Sequence, residues 1–448
     1  MHHVILGAGP AGVIAAETLR KHAPHDSITL VGDEPDAPYS RMAIPYLLMG
    51  HIDERGTYLR KRAAHFDDLR ITQVKAKVTQ VNVQAQSVQL DNGSAIAFDK
   101  LLIATGSHPV RPPIAGMDLP GVHPCWTLAD ARAIAALAKP GARVLQMGAG
   151  FIGCIIMEAL TARGVKLSVV EMGDRMVPRM MGPVAGGMIR DWCEAKGVQV
   201  FTGTKVEAIT SVRAGAEKGL LGKLAAAVGL SSDEVGGALQ VRLSNGQTVE
   251  ADLVISATGV RPAIGYLQDS GITCLQGVLT DAQMQTNVPG IYAAGDCAEA
   301  LDLVSGKTIV SAIQPNAAEQ ARVAALNMVG QKTTLQGVTQ INVLDTLGLI
   351  STSFGNWEGV PGGQSAVLTH QATGRHLSLQ FKDDVLVGCN SVGWTEHVGV
   401  MRGLVEGQVR LGDWKDRLLH DPTKLMEAYL DCAQGQGRWS GAADERRR

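Results

Sequence analysis

His3-Val4-Ile5-Leu6-Gly7-Ala8-Gly9-Pro10-Ala11-Gly12 decides the fold, because Arg143-Val144-Leu145-Gln146-Met147-Gly148-Ala149-Gly150-Phe151-Ile152-Gly153 repeats its grammar. Each stretch is a short apolar strand that runs into a G-x-G-x-x-G turn. A helical pattern follows each turn, to about His22 in the first copy and about Arg163 in the second. A second strand comes next, at residues 27–31 and 166–170. An acid then closes each unit: Asp33 or Glu34 after Gly32 in the first copy, and Glu171 directly in the second. Strand, glycine turn, helix and strand predict a βαβ unit with a parallel sheet, twice over.

Such a turn aims backbone N–H groups and a helix dipole at a pyrophosphate. The first glycine (Gly7, Gly148) makes the turn. The second (Gly9, Gly150) lets phosphate approach, and the third (Gly12, Gly153) lets helix and strand pack closely. The first helical residues, Pro10 and Ala11 in one copy and Phe151 and Ile152 in the other, belong to the same cradle. One such motif is weak evidence for a dinucleotide site. Two in the correct context, each with an acid about 20 residues on, are strong evidence. Glu171 accepts ribose hydroxyls and repels an extra phosphate, which predicts NADH over NADPH. Arg175, four residues further, softens that preference.

The rest of the composition narrows the setting. A chain of 448 residues allows about three domains. Its 52 glycines exceed the usual ~7 % share without a collagen period, so they belong at tight turns and close approaches. With 41 basic and 43 acidic residues, net charge −2, nothing points to nucleic acid or an anionic membrane as partner. The 7 cysteines form no Cys-x-x-Cys pair. That suits a reducing cytoplasm and predicts neither a zinc nor an iron–sulfur site. The N-terminus enters a strand at once, which predicts no signal peptide. No apolar run approaches the ~20 residues of a membrane span.

Several further motifs come in order: Ala104-Thr105-Gly106-Ser107, Ala257-Thr258-Gly259, and Thr286-Asn287-Val288-Pro289-Gly290-Ile291-Tyr292-Ala293-Ala294-Gly295-Asp296. With the two glycine turns, they make residues 1–330 resemble the FAD-dependent pyridine nucleotide–disulfide oxidoreductase superfamily. The resemblance implies an α/β fold with two Rossmann-like dinucleotide-binding domains, one for FAD and one for NAD, plus a C-terminal α+β interface domain. The expected boundaries are 1–112 with 258–330 for FAD, 113–257 for NAD with an insertion at 214–237, 331–434 for the interface domain, and a disordered tail at 435–448. The resemblance also implies that Asp296 bonds the ribityl chain of the flavin. It implies that the helix near Asn316 and Ala317 points its N-terminus at the flavin ring.

The segment Pro38-Tyr39-Ser40-Arg41-Met42-Ala43-Ile44-Pro45-Tyr46 sets the chemistry. In the coenzyme A-disulfide reductase and NADH oxidase branch a redox cysteine stands where this chain has Met42. A thioether forms no thiolate or mixed disulfide, so cysteine-mediated disulfide reduction is not expected. The resemblance places Arg41 on flavin phosphate or ribityl groups, against the plainer reading of a surface ion pair. Tyr46 holds the place where ferredoxin and rubredoxin reductases often carry Lys, and either flavin stacking or packing explains it. A nicotinamide-contacting Glu of the family is replaced by Ile155, with Glu158 the nearest acid. The Trp that ferredoxin reductases place before the last flavin-facing helix is missing from Ile313-Gln314-Pro315-Asn316-Ala317.

The expected function is transfer of hydride from NADH to FAD, then of electrons to a partner carrier protein or larger complex. An NADH oxidase or small-molecule reductase is the alternative. A flavin-binding scaffold with little NADH turnover is the alternative of another class. The expected assembly is a homodimer or hetero-oligomer. Arg55 with Arg60-Lys61-Arg62 is either a docking patch for an acidic carrier or a solvated face. His397 is either structural or within reach of a neighbouring flavin. Cys154 and Cys297 read as buried, inert thiols, and no metal ligands cluster.

Overall fold

A computed structural model describes residues 1–211 and 238–435; the expected insertion at 214–237 and tail beyond Gly435 lie outside them. The first unit runs β1 (His2–Leu6), α1 (Pro10–His22) and β2 (Ser27–Gly32), followed by β3 (Ile71–Lys75) and β4 (Lys100–Ile103). The second region begins at β5 (Val122–Pro124). It continues through β6 (Arg143–Met147), α2 (Phe151–Ala162), β7 (Lys166–Val170), α3 (Pro183–Ala195), β8 (Gln199–Phe201) and β9 (Leu253–Ser256). Then β10 (Ile291–Ala293) and α4 (Gln314–Met328) return to the first.

Both sheets have five strands, ordered β10-β4-β1-β2-β3 and β8-β7-β6-β9-β5, and every pairing within them is parallel. The glycine turns leave the central strands β1 and β6. Leu6 pairs with Val31 on one side and Ile103 on the other, and Met147 pairs with Val170 and Ser256. The turns therefore open at the carboxyl ends of parallel strands, where such sheets bind ligands. Helices pack on one face of each sheet and a three-stranded antiparallel sheet on the other, so the central strands are mostly apolar: Val4, Ile5 and Leu6 are all 0 % exposed.

The C-terminal region is an antiparallel sheet ordered β11 (Ile341–Thr346), β12 (Leu349–Gly355), β15 (Val385–Val392), β14 (Arg375–Lys382) and β13 (Gln364–His370). Leu377, Leu379 and Phe381 of β14 join Met401 and Leu404 of α5 (Val398–Glu406) in one buried cluster. The last helix, α6, spans Leu425–Gly435. Asp421 Oδ1 accepts from the Thr423 amide and hydroxyl, at 3.1 and 2.6 Å, and that local turn competes with helix.

Candidate functional site

The two glycine turns are built alike. Gly7 and Gly148 have φ of +111° and +98°, which a side chain rarely adopts. A Cβ on Gly7 would lie 2.0 Å from the Ala104 carbonyl oxygen, and one on Gly148 2.4 Å from that of Ala257. The third glycines are equally tight: Gly12 and Gly153 would place a Cβ 1.9 and 2.5 Å from the carbonyl oxygens of Gly7 and Gly148. The second glycines are the opposite. Gly9 and Gly150 have nothing within 4 Å of a Cβ. They also sit at the N-caps of α1 and α2 with no side chain capping the helix. Unfilled space beside free helix N–H groups fits a pyrophosphate, which supplies the missing acceptors.

The two acids are set differently. Glu171 Oε2 accepts from the Ala149 amide and Oε1 from the Gly173 amide, each at 2.7 Å, so its carboxylate is pinned across the second turn. Arg175 is bonded to Asp174 at 2.7 Å and to the Met181 carbonyl at 2.7 Å. Its guanidinium is thus engaged by its own loop. In the first unit Asp33 and Glu34 both line a cavity, but Glu34 is bonded to Arg41 at 2.8 Å and to the Tyr39 hydroxyl. Arg41 also donates to Tyr39 at 2.9 Å, and its guanidinium lies 5.6 Å from the Tyr39 ring centre and 5.3 Å from that of Trp126. Burial raises the Tyr39 phenol, and its bond to Glu34 reinforces that shift.

At the other end, β4 and β10 deliver Ala104-Thr105-Gly106 and Gly295-Asp296. The Asp296 carboxyl is raised by burial, against the Ser107 hydroxyl that donates to it at 2.8 Å and the nearby Arg41 charge. The Gly295 amide is fixed by the buried Gln320 side chain at 2.8 Å. Helix α4 starts beside them with Pro315 in its first turn and no side-chain cap. Ala317 lines the cavity; Asn316 turns aside to donate to Ser311 at 2.7 Å.

The first glycine turn, the ends of β4 and β10, the start of α4 and helix α2 converge on one cavity of about 570 Å³. It receives Gly7, Gly9, Pro10 and Ala11 from the first turn, and Phe151, Ile152 and Ile155 from helix α2 of the second. Met42 also lines it, with half its surface (50 %) exposed. Gly12, Gly148, Gly150, Gly153, Glu171 and Gly259 do not line it. Tyr46 and Glu158 are not brought to the cavity. Tyr46 is 54 % exposed. Glu158 lies one helical turn further along, its carboxyl raised by burial and by Asp345 and lowered by His51.

Trp126 and Cys125 are among the lining residues that escape the sequence reading. Trp126 forms an aromatic wall and donates its Nε1–H to the Ser107 carbonyl at 3.0 Å. Its neighbour Cys125 also lines the cavity, but burial pushes its thiol up to about 12, so it carries no thiolate. Cys154 and Cys297 are both 0 % exposed, their thiols raised by burial. Two members of the basic cluster are paired with acids, Arg60 with Glu17 at 2.6 Å and Arg62 with Asp68, while Arg55 donates to the Lys61 carbonyl at 3.1 Å. His397 precedes α5, its Nδ1 buried without a partner. No metal-binding cluster occurs among the described residues.

Comparison with known proteins places these features. The chain is 29 % identical to the NADH-dependent phenylglyoxylate dehydrogenase subunit epsilon of Aromatoleum evansii, over 94 % of this chain and 95 % of that protein. It is 31 % identical to rhodocoxin reductase of Rhodococcus erythropolis, over 75 % and 74 %. Among solved structures, a NAD-dependent persulfide reductase from A. fulgidus superposes with a TM-score of 0.81 at 25 % identity, covering 92 % of this chain and 78 % of that one. Residues 1–325 match the pyridine nucleotide-disulphide oxidoreductase family. With the first glycine turn and the helix after the second lining one cavity, the chain belongs to that family and is an FAD-dependent NADH oxidoreductase.

Proposed function

We propose that this protein draws electrons from NADH and hands them to a partner protein, either a soluble carrier or a subunit of a larger complex. The observation that carries the reading is the shared cavity: the first turn and helix α2 of the second unit meet in it, while its wall holds Met42 where a redox cysteine would stand. When bound, FAD takes a hydride from NADH and can return the electrons singly or as a pair. Neither Met42 nor the high-pKa Cys125 offers a thiolate for a disulfide acceptor. Relatives named for a dehydrogenase complex subunit and for reduction of rhodocoxin support an acceptor of protein kind.

The chain's own residues divide as follows in this reading. Gly9, Pro10 and Ala11 take the FAD pyrophosphate on the N-terminus of α1, with Asp33 and Glu34 at the adenosine end. Arg41 adds positive charge beside the phosphates. Ala104, Thr105 and Gly106 form the floor with Gly295, Asp296 accepts from the ribityl hydroxyls, and the N-terminus of α4 at Ala317 faces the flavin ring. Gly150, Phe151 and Ile152 take the NADH pyrophosphate and Glu171 the ribose, with Gly259 on the adjoining strand end. Residues 1–112 and 258–330 thus serve FAD, 113–257 serve NADH, and 331–434 serve assembly. Seven free cysteines support a reducing cytoplasmic setting. No described helix is long and apolar enough to cross a membrane. We infer a dimer or hetero-oligomer, which light scattering tests.

Stopped-flow mixing is the decisive experiment. NADH should bleach the flavin band within a second, and NADPH more slowly. No bleaching over minutes would leave only a flavin-binding scaffold. Affinity capture from native lysate should then recover a carrier that accelerates reoxidation. Full-rate reoxidation by dioxygen alone would favour an NADH oxidase.

A further inference from the structure

A second pocket, of about 390 Å³, shares no lining residue with the nucleotide cavity. It lies where the hairpin of strands Ala298–Leu301 and Thr308–Val310 meets the C-terminal sheet. The hairpin turn contributes Val304, Ser305 and Lys307. The sheet contributes Asn356 after β12, Lys382 at the end of β14, and Val387 of β15. The turn is anchored, because Val304 packs on the apolar cluster of the sheet and the Gln408 carboxamide donates to the Leu303 carbonyl at 2.9 Å.

The chemistry of this pocket is one-sided. Two lysines line it, one from each wall, and no carboxylate does. Lys382 Nζ donates to the Pro361 carbonyl at 3.3 Å, and neither lysine makes an ion pair among the described residues. The acids close by in sequence, Asp302, Glu358, Asp383 and Asp384, do not line the pocket. Asp302 spends Oδ2 on the Ser305 amide at 3.1 Å, and Asp384 pairs with Arg410 at 3.6 Å. Two like charges in one concavity repel each other and raise the local concentration of anions.

We propose that this pocket binds a small oxyanion of the phosphate type. Lys307 and Lys382 hold it from opposite walls, with the Ser305 hydroxyl and the Asn356 carboxamide as neutral donors. Ammonium groups contact phosphate oxygens as point charges, so no planar fork is needed. The bound anion ties the hairpin of the nucleotide-binding region to the C-terminal sheet. Its source is either free phosphate or the phosphate of a small metabolite.

The test uses FAD-loaded protein with saturating NAD+, so that both glycine turns are filled. Calorimetric titration compares inorganic phosphate, glycerol 3-phosphate and chloride at matched ionic strength. Phosphate should bind and raise the thermal midpoint where chloride does not, and the Lys307→Met/Lys382→Met variant should bind it at least tenfold more weakly. FAD content and the phosphate-free midpoint of the variant establish that it is folded. Tighter binding of glycerol 3-phosphate than of phosphate identifies a metabolite. Equal phosphate affinity in variant and wild type, or no binding beyond chloride, overturns the proposal. Should the double variant not fold, anomalous scattering from selenate soaked into wild-type crystals decides: density between Lys307 and Lys382 supports the site, and its absence there refutes it.

Discussion

At the scale of single residues, the glycines make opposite predictions within one motif. Gly12→Ala drives a methyl group into the Gly7 carbonyl and should destabilise the fold by about 1–3 kcal/mol in denaturant unfolding. Gly9→Ala meets no protein atom, so the apoprotein should stay within about 0.5 kcal/mol of wild type. Its methyl group instead occupies phosphate space and should weaken FAD binding about tenfold or more, ~1.4 kcal/mol. Asp296 gives a pH test. Burial raises its carboxyl, and the Ser107 hydroxyl opposes that by favouring the charged form. Acid should therefore release FAD at a higher pH than an ordinary carboxylate predicts. Ser107→Ala should move the release midpoint higher still, read from recovered flavin fluorescence. Glu171→Gln keeps the shape but loses one acceptor for the amides of Ala149 and Gly173. It should raise KM for NADH roughly tenfold, near the ~1.5 kcal/mol of a charge-assisted bond, and narrow the preference over NADPH.

At the scale of elements, the sequence was legible wherever backbone necessity leaves a mark. The glycine turns after β1 and β6 follow from first and third glycines that leave no room for a side chain. Side-chain convergence leaves no such mark. Trp126 and Cys125 reach the cavity because β5 joins the edge of the second sheet, a pairing invisible in a three-residue strand. Glu158 shows the limit of counting along a helix. Three residues past Ile155 it has risen ~4.5 Å from the mouth, toward His51 and Asp345. Strand β14 carries its own pH dependence. Burial lowers His376 below its ordinary 6.5, so the native strand holds the ring neutral. The resulting stability is fully present above pH 6.5 and is lost as pH falls through the lower native value. His376→Gln should flatten the decline of unfolding free energy on acidification below 6.5, measured by urea titration at several pH values.

At the scale of the whole molecule, the thiols become a ruler. Five of the seven free cysteines are buried, Cys125, Cys154, Cys193, Cys297 and Cys389, while Cys274 and Cys432 are partly exposed. They are spread over all three regions: Cys297 behind the first sheet, Cys154 and Cys193 behind the second, and Cys389 in the C-terminal sheet. A brief pulse of a maleimide should label only the two partly exposed positions in the native protein. Each buried thiol then reacts when its own region opens, so mass spectrometry of peptides would time the unfolding of the three regions separately, without any introduced probe.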